Sequence, residues 1–164
     1  MKYDKIHCMK NTYKLILAII ICELAGIIGS IFTISSVSNW YQTLIKPALN
    51  PPSFVFGPVW TALYALMGIS VFLVWKMGWD RADVRKAIYV FGLQLILNAT
   101  WSIIFFGLHS PFWAFINIIA LWLSIIWTMT LFYKINKLAT WLLVPYILWV
   151  SFASYLNYSI WILN

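Results

Sequence analysis

Charged side chains sit in short clusters along this chain, and long apolar runs separate them. No Asp, Glu, Lys or Arg occurs at 47–75, 87–133 or 138–164. A membrane-spanning helix needs about 20 apolar residues. The run 87–133 is long enough for two, and Gly107-Leu108-His109-Ser110-Pro111 in its middle is a turn signal in which the proline opens the next helix. The pattern therefore predicts five spans, at about 13–34, 54–77, 87–108, 112–133 and 138–163. A transmembrane strand barrel would show alternating segments of about 10 residues, and these runs are too continuous for that. The expected fold is an all-α integral membrane protein, a single five-transmembrane-helix bundle over 1–164.

Composition agrees with the pattern. The chain is 63% hydrophobic and 9% charged, whereas a soluble domain carries about 25% charged residues. The first apolar run is longer than the 7–15 residues of a signal peptide core, so it is expected to be a retained helix. Cys8 and Cys22 would lie about 21 Å apart on one helix, too far for a disulfide.

Charge adds orientation. Lys2, Lys5, Lys10, Lys14, Lys76, Arg81, Arg85, Lys86, Lys134 and Lys137 share one side of a five-span topology, and Lys46 stands alone on the other. The positive-inside rule then places the N-terminus in the cytoplasm and the C-terminus outside. This bias accounts for the net charge of +7 without a nucleic-acid partner. The expected location is the cell membrane of a bacterium or archaeon.

The connection 35–53 is the longest, holds three prolines, and reads SSVSNWYQTLIKPALNPPS. Long ordered loops often act as lids, and a plain connector is the alternative. Polar and aromatic residues inside the spans fall on shared helical faces. Gln94, Asn98, Trp101, Ser102 and Phe105 share one. Trp60, Tyr64 and Gly68 share a second, Trp149, Ala153 and Asn157 a third, and Asn117, Leu121, Ser124 and Thr128 a fourth. Lipid offers no partners to amides, so these faces turn inward. They either bond helix to helix, at about 0.6 kcal/mol per contact, or line a cavity of aromatic walls with a few polar anchors. Depth favours the cavity: Trp60, Tyr64, Asn98, Trp101, Ser102, Asn117 and Asn157 converge under the first loop. Glu23, near the middle of the first span, is either a functional group or a carboxylic acid bonded to a neighbouring helix. The histidines, His7 and His109, lie outside the spans, and no set of residues has metal-ligand spacing within the membrane. No metal and no required cofactor are expected.

The run WYQTLIKPALNPPSFVFGPVWTALYALMGIS at 40–70 closely resembles the signature of the TspO/MBR family, the translocator proteins, also called tryptophan-rich sensory proteins or peripheral-type benzodiazepine receptors. Further matches are NATWSIIFFG at 98–107 and LVPYILWVSFASYLNYSIW at 143–161. The resemblance implies a five-helix bundle, often a homodimer, with a cavity closed by the first loop. It implies binding of porphyrins such as protoporphyrin IX, or of another hydrophobic small molecule, and a role as tetrapyrrole sensor, scavenger or carrier. By motif match it implies pocket residues Tyr41, Pro51, Phe56, Trp60, Tyr64, Asn98, Trp101, Ser102, Trp149, Ala153, Leu156 and Asn157. Some bacterial relatives degrade protoporphyrin in light, which would make Trp60 and Trp149 catalytic here. A structural or partner-binding role is the third alternative. Lys46, the lone cation on that side, is expected at the cavity mouth beside the ligand's carboxylates, and Asn117 completes the expected set. One departure stands out: the basic residue that follows Leu-Asn-Tyr in the animal proteins is missing after Leu156-Asn157-Tyr158. That weakens any expectation of cholesterol binding.

Overall fold

The computed structural model describes the backbone of residues 2–164 and the side chains of residues 11–164. The side chains of Lys2, Lys5, His7, Cys8 and Lys10 lie outside the described residues. In chain order come α1 (Lys2–Val37), α2 (Trp40–Thr43), a 3₁₀ turn (Ser53–Val55), α3 (Phe56–Trp75), α4 (Ala82–Ser102) with a π-helical turn (Ile103–Gly107), α5 (Pro111–Ile135), α6 (Lys137–Leu142) and α7 (Val144–Leu163). Five segments are long and apolar enough to cross a bilayer: Asn11–Val37, Ser53–Trp75, Ala82–Gly107, Pro111–Ile135 and Lys137–Leu163. The protein is an all-α integral membrane bundle. Large apolar side chains cover its outer faces, among them Ile31, Ile34, Ile96, Leu123 and Leu148, as lipid contact requires.

The spans form a ring. α1 packs on α3 and α4, α4 on α5, α5 on α7, and α6 closes the ring against α3. Small residues set the closest approaches. A Cβ on Gly68 would lie 2.6 Å from the Ile19 Cα, so α1 and α3 touch there backbone to backbone.

Three features of the third and last spans depart from the sequence expectation, each for a local reason. The third span begins five residues earlier, at Ala82. Its first turn is polar and invisible to an apolar count, but Asp83 accepts from the Val84 N–H at 2.9 Å, and its charge suits a helix N-terminus. The same span ends in a π turn, where the Leu108 N–H reaches back five residues to the Ile103 carbonyl at 2.9 Å. The last span is broken at Leu143. Pro145, which lacks an N–H, sits in the first turn of α7, where no donor is needed. The Leu143 N–H bonds Thr140 O at 3.0 Å. That leaves the Ala139 carbonyl free to accept from Ser70 Oγ on α3 at 2.7 Å.

The first connection is more ordered than its prolines imply. α1 runs on to Val37, and Trp40–Thr43 forms a helical turn. Asn39 Nδ2 donates to Ser35 O at 3.2 Å, and Thr43 Oγ1 to Trp40 O at 2.8 Å. At its far end, Asn164 grips the Ile45 backbone twice, accepting from its N–H at 2.9 Å and donating to its carbonyl at 3.1 Å.

Candidate ligand-binding site

Below this connection lies a cavity of about 540 Å³, walled by α1, α3, the α4 end with its π turn, and α7. Its volume falls within the roughly 300–1,000 Å³ of small-molecule sites. Aromatic rings from three spans make its walls. Trp60 stacks on Tyr64, with centroids 5.5 Å apart and planes at 30°. Trp101 stacks on Phe105 at 5.3 Å and 24°. Trp149 meets Phe56 edge-on at 6.1 Å. These offset and edge-to-face pairs hold the rings in fixed orientations.

Hydrogen bonds then fix the wall. Asn157 accepts from Trp101 Nε1 at 2.9 Å and donates to Pro111 O at 2.8 Å, so it ties α4 and α7 to the start of α5. At the inner end, Tyr64 OH donates to Asn98 Oδ1. Asn98 Nδ2 donates to Tyr146 OH at 3.0 Å, and Tyr146 OH donates to Gln94 Oε1 at 2.9 Å. This chain of phenols and amides joins α3, α4 and α7 beneath the cavity. Trp149 Nε1 is buried without a hydrogen-bond partner among the described residues.

At the mouth, Tyr41 is buried and its hydroxyl donates to Asn50 Oδ1 at 2.7 Å. Burial raises its phenol above the ordinary tyrosine range, and the Asn50 bond offsets part of that rise. Trp40 stacks on His109 at 4.4 Å, and His109 Nε2 lies 3.2 Å from Ser36 Oγ. Together these contacts pin the connection to the turn after the third span.

Of the residues expected from the sequence, Tyr41, Phe56, Trp60, Tyr64, Trp101, Ser102, Trp149, Ala153, Leu156 and Asn157 all line the cavity. Four do not. Asn98 lies behind Tyr64, inside the polar chain. Asn117 donates to Thr100 Oγ1 at 3.1 Å between α5 and α4, because α5 contributes nothing to the cavity wall. Ser124 and Thr128, on the same face, bond carbonyls of their own helix. Pro51 shapes the loop, and its carbonyl accepts from Asn50 Nδ2 at 3.1 Å. Lys46 sits over the Tyr41 ring, 4.8 Å from its centroid, and donates to Leu44 O at 3.0 Å. Its ammonium satisfies loop carbonyls beside α2, where a cation is electrostatically favoured.

The wall that the face analysis missed is α1. Glu23, Gly26, Ser30, Thr33 and Val37 all line the cavity. Their spacing alternates three and four residues, which is one helical face. That stripe was readable, but small residues and hydroxyls signal less loudly than indoles and amides. Gly26 faces the Tyr64 ring, which leaves no room there for a Cβ. Phe106 joins Phe105 in the lining, brought there by the π turn.

Five apolar spans, four of which wall an aromatic cavity, define an integral membrane helix bundle with an internal cavity of small-molecule size. The sequence profile described as the TspO/MBR family matches residues 18–162. The chain is 44% identical to the "Tryptophan-rich protein TspO" of Chlorobaculum tepidum, over 94% of this chain and 98% of that protein. It is 38% identical to the human "Translocator protein", over 85% of this chain and 83% of that one. It is 34% identical to the "Tryptophan-rich sensory protein" of Cereibacter sphaeroides, over 77% of each. The chain belongs to the TspO/MBR family.

Proposed function

We propose that this protein binds a porphyrin of the protoporphyrin IX type in its cavity and acts as a tetrapyrrole sensor, scavenger or carrier. The observation that carries the reading is the set of indole and phenyl walls from three spans, Trp60, Trp101, Trp149 and Phe56 among them. A flat macrocycle stacks on such walls, at about 0.5–1.5 kcal/mol per aromatic pair. The names of relatives as tryptophan-rich sensory and translocator proteins fit a role in sensing or moving a ligand. Protoporphyrin titrated into the detergent-solubilised protein should shift its Soret band and quench tryptophan fluorescence at saturable stoichiometry. A linear response equal to that of empty micelles would remove the proposal.

The alternative is a light-dependent porphyrin-degrading enzyme. Its support is that both Trp60 and Trp149 line the cavity, where either indole would serve as redox partner to an excited macrocycle, with dioxygen as the oxidant.

We also propose that the N-terminus is cytoplasmic, which puts the cavity mouth on the outer side. The loop between α3 and α4 carries Lys76 and Arg81, and the start of α4 adds Arg85 and Lys86, the side favoured by the positive-inside rule. A cysteine introduced in that loop should resist membrane-impermeant labelling of intact cells, and labelling from outside would reverse the orientation.

A further inference from the structure

Glu23 lies near the middle of the first span, Asn11–Val37, and lines the inner end of the cavity. The mouth at Val37 is 14 residues further along α1, about 21 Å away at 1.5 Å per residue. Among the described residues that line the cavity there is no Lys, Arg or His, and Glu23 is the only carboxyl. It accepts no hydrogen bond from any described residue.

Several hydroxyls of the cavity wall are already committed. Tyr64 OH gives its proton to Asn98. Ser30 donates to Ile27 O at 2.8 Å, Thr33 to Gly29 O at 3.1 Å, and Thr61 to Gly57 O at 3.1 Å. A carboxylate held at this depth without a donor among the described residues is stabilised by a cationic donor from outside the chain. The aromatic walls begin directly above it. Tyr64 packs on Gly26, and Trp60 stacks on Tyr64 one turn closer to the mouth.

We infer that Glu23 is the recognition group for a protonated amine, so that the cavity takes flat aromatic or macrocyclic molecules that lead with an ammonium. The ammonium pairs with the Glu23 carboxylate at the inner end, and the ring body stacks between the indoles. The same charge turns ligand carboxylates away from the inner end and towards the mouth. This assignment rests on the cavity being a ligand site, and not on the ligand being a tetrapyrrole.

The test is a tryptophan-quenching titration of the purified protein in neutral detergent, corrected for empty micelles. The probes are 1-pyrenemethylamine, a flat polycycle that carries an ammonium at neutral pH, and 1-methylpyrene, its neutral counterpart. The wild-type protein should prefer the amine by at least about tenfold, the scale of one charge-assisted hydrogen bond. In Glu23→Gln, which keeps the side-chain shape and removes the charge, that ratio should fall to about one, while the melting temperature shows the protein folded. A ratio near one in the wild type, or one unchanged in Glu23→Gln, overturns the assignment, and so does failure of the wild type to bind either probe. Protoporphyrin titrated in parallel keeps the two readings apart. A protein that shows the Glu23-dependent preference yet leaves protoporphyrin free supports the amine site and sinks the tetrapyrrole reading.

Discussion

The two halves of this bundle are built from the same helices but solve opposite problems. In the half away from the first connection, Met67, Val74, Val84, Ala87 and Phe132 are 0% exposed, and side chains from different spans meet directly. In the half beneath the connection the same spans part around about 540 Å³ of space. The polar chain Tyr64–Asn98–Tyr146–Gln94 marks the border. Away from it, side chains are spent on each other. Above it, indole rings and a carboxyl are held open. Within a bilayer, packing supplies the association that water would otherwise drive. A bundle that keeps one half open therefore concentrates its stability in the other.

Variants can break this division or sharpen it. The largest expected effect is Phe132→Ala. Phe132 stacks on Phe91 at 5.9 Å and 16° in the closed half. The cavity left behind should cost about 3–5 kcal/mol and lower the melting temperature in micelles, with protoporphyrin affinity unchanged in the folded fraction. If affinity falls in step with stability, the halves are not separable.

Asn98→Leu cuts the border itself. It strips an acceptor from Tyr64 and a donor from Tyr146, both buried, at an expected cost of about 1–3 kcal/mol. Because Tyr64 also walls the cavity, this variant should lose stability and affinity together. Loss of only one would move the border.

Trp60→Phe and Trp149→Phe act on the open half alone. Each keeps a ring to stack on, so each should retain affinity to within about 1 kcal/mol and melt as the wild type does. Photobleaching measured alongside tells binding from chemistry: selective loss of bleaching in variants that still bind favours the enzyme.

Lys46→Glu should give the smallest effect. The ammonium bonds Leu44 O and lies outside the cavity lining, so the change should cost under about 1 kcal/mol and do so equally for protoporphyrin and for an uncharged aromatic ligand. Preferential weakening of protoporphyrin would return Lys46 to the carboxylate-binding role that its isolation in the sequence implied.

Legibility in the sequence followed the size of the physical signal. Five spans were readable because each apolar run is long and each break carries charge or a turn cluster. The aromatic site was readable because indoles and amides repeat at helical spacing on α3, α4 and α7. The π turn was not, since it changes one hydrogen-bond register and leaves composition untouched, and the Leu143 break was signalled only by Pro145 inside an otherwise continuous apolar run. Asn117 was placed on an inward face, and it does point inward, but towards Thr100 and not towards the cavity. Periodicity gives the direction of a side chain without naming the neighbour that it meets. The α1 stripe was overlooked because Gly26, Ser30 and Thr33 are as common in plain packing seams as in binding sites.

The π turn carries a consequence for how the chain tolerates insertion and deletion. A π turn holds one residue more than the α-helical turn it replaces. Removing a single residue from 103–107 should let the third span close as ordinary α-helix. Because the π turn fits that extra residue into a single turn, residues beyond the deletion would keep nearly the same orientation. Only one of Phe105 and Phe106 would then face the cavity, while His109 would stay against Trp40 and Ser36. One surplus residue thus adds a ring to the binding wall without unfastening the loop that covers it.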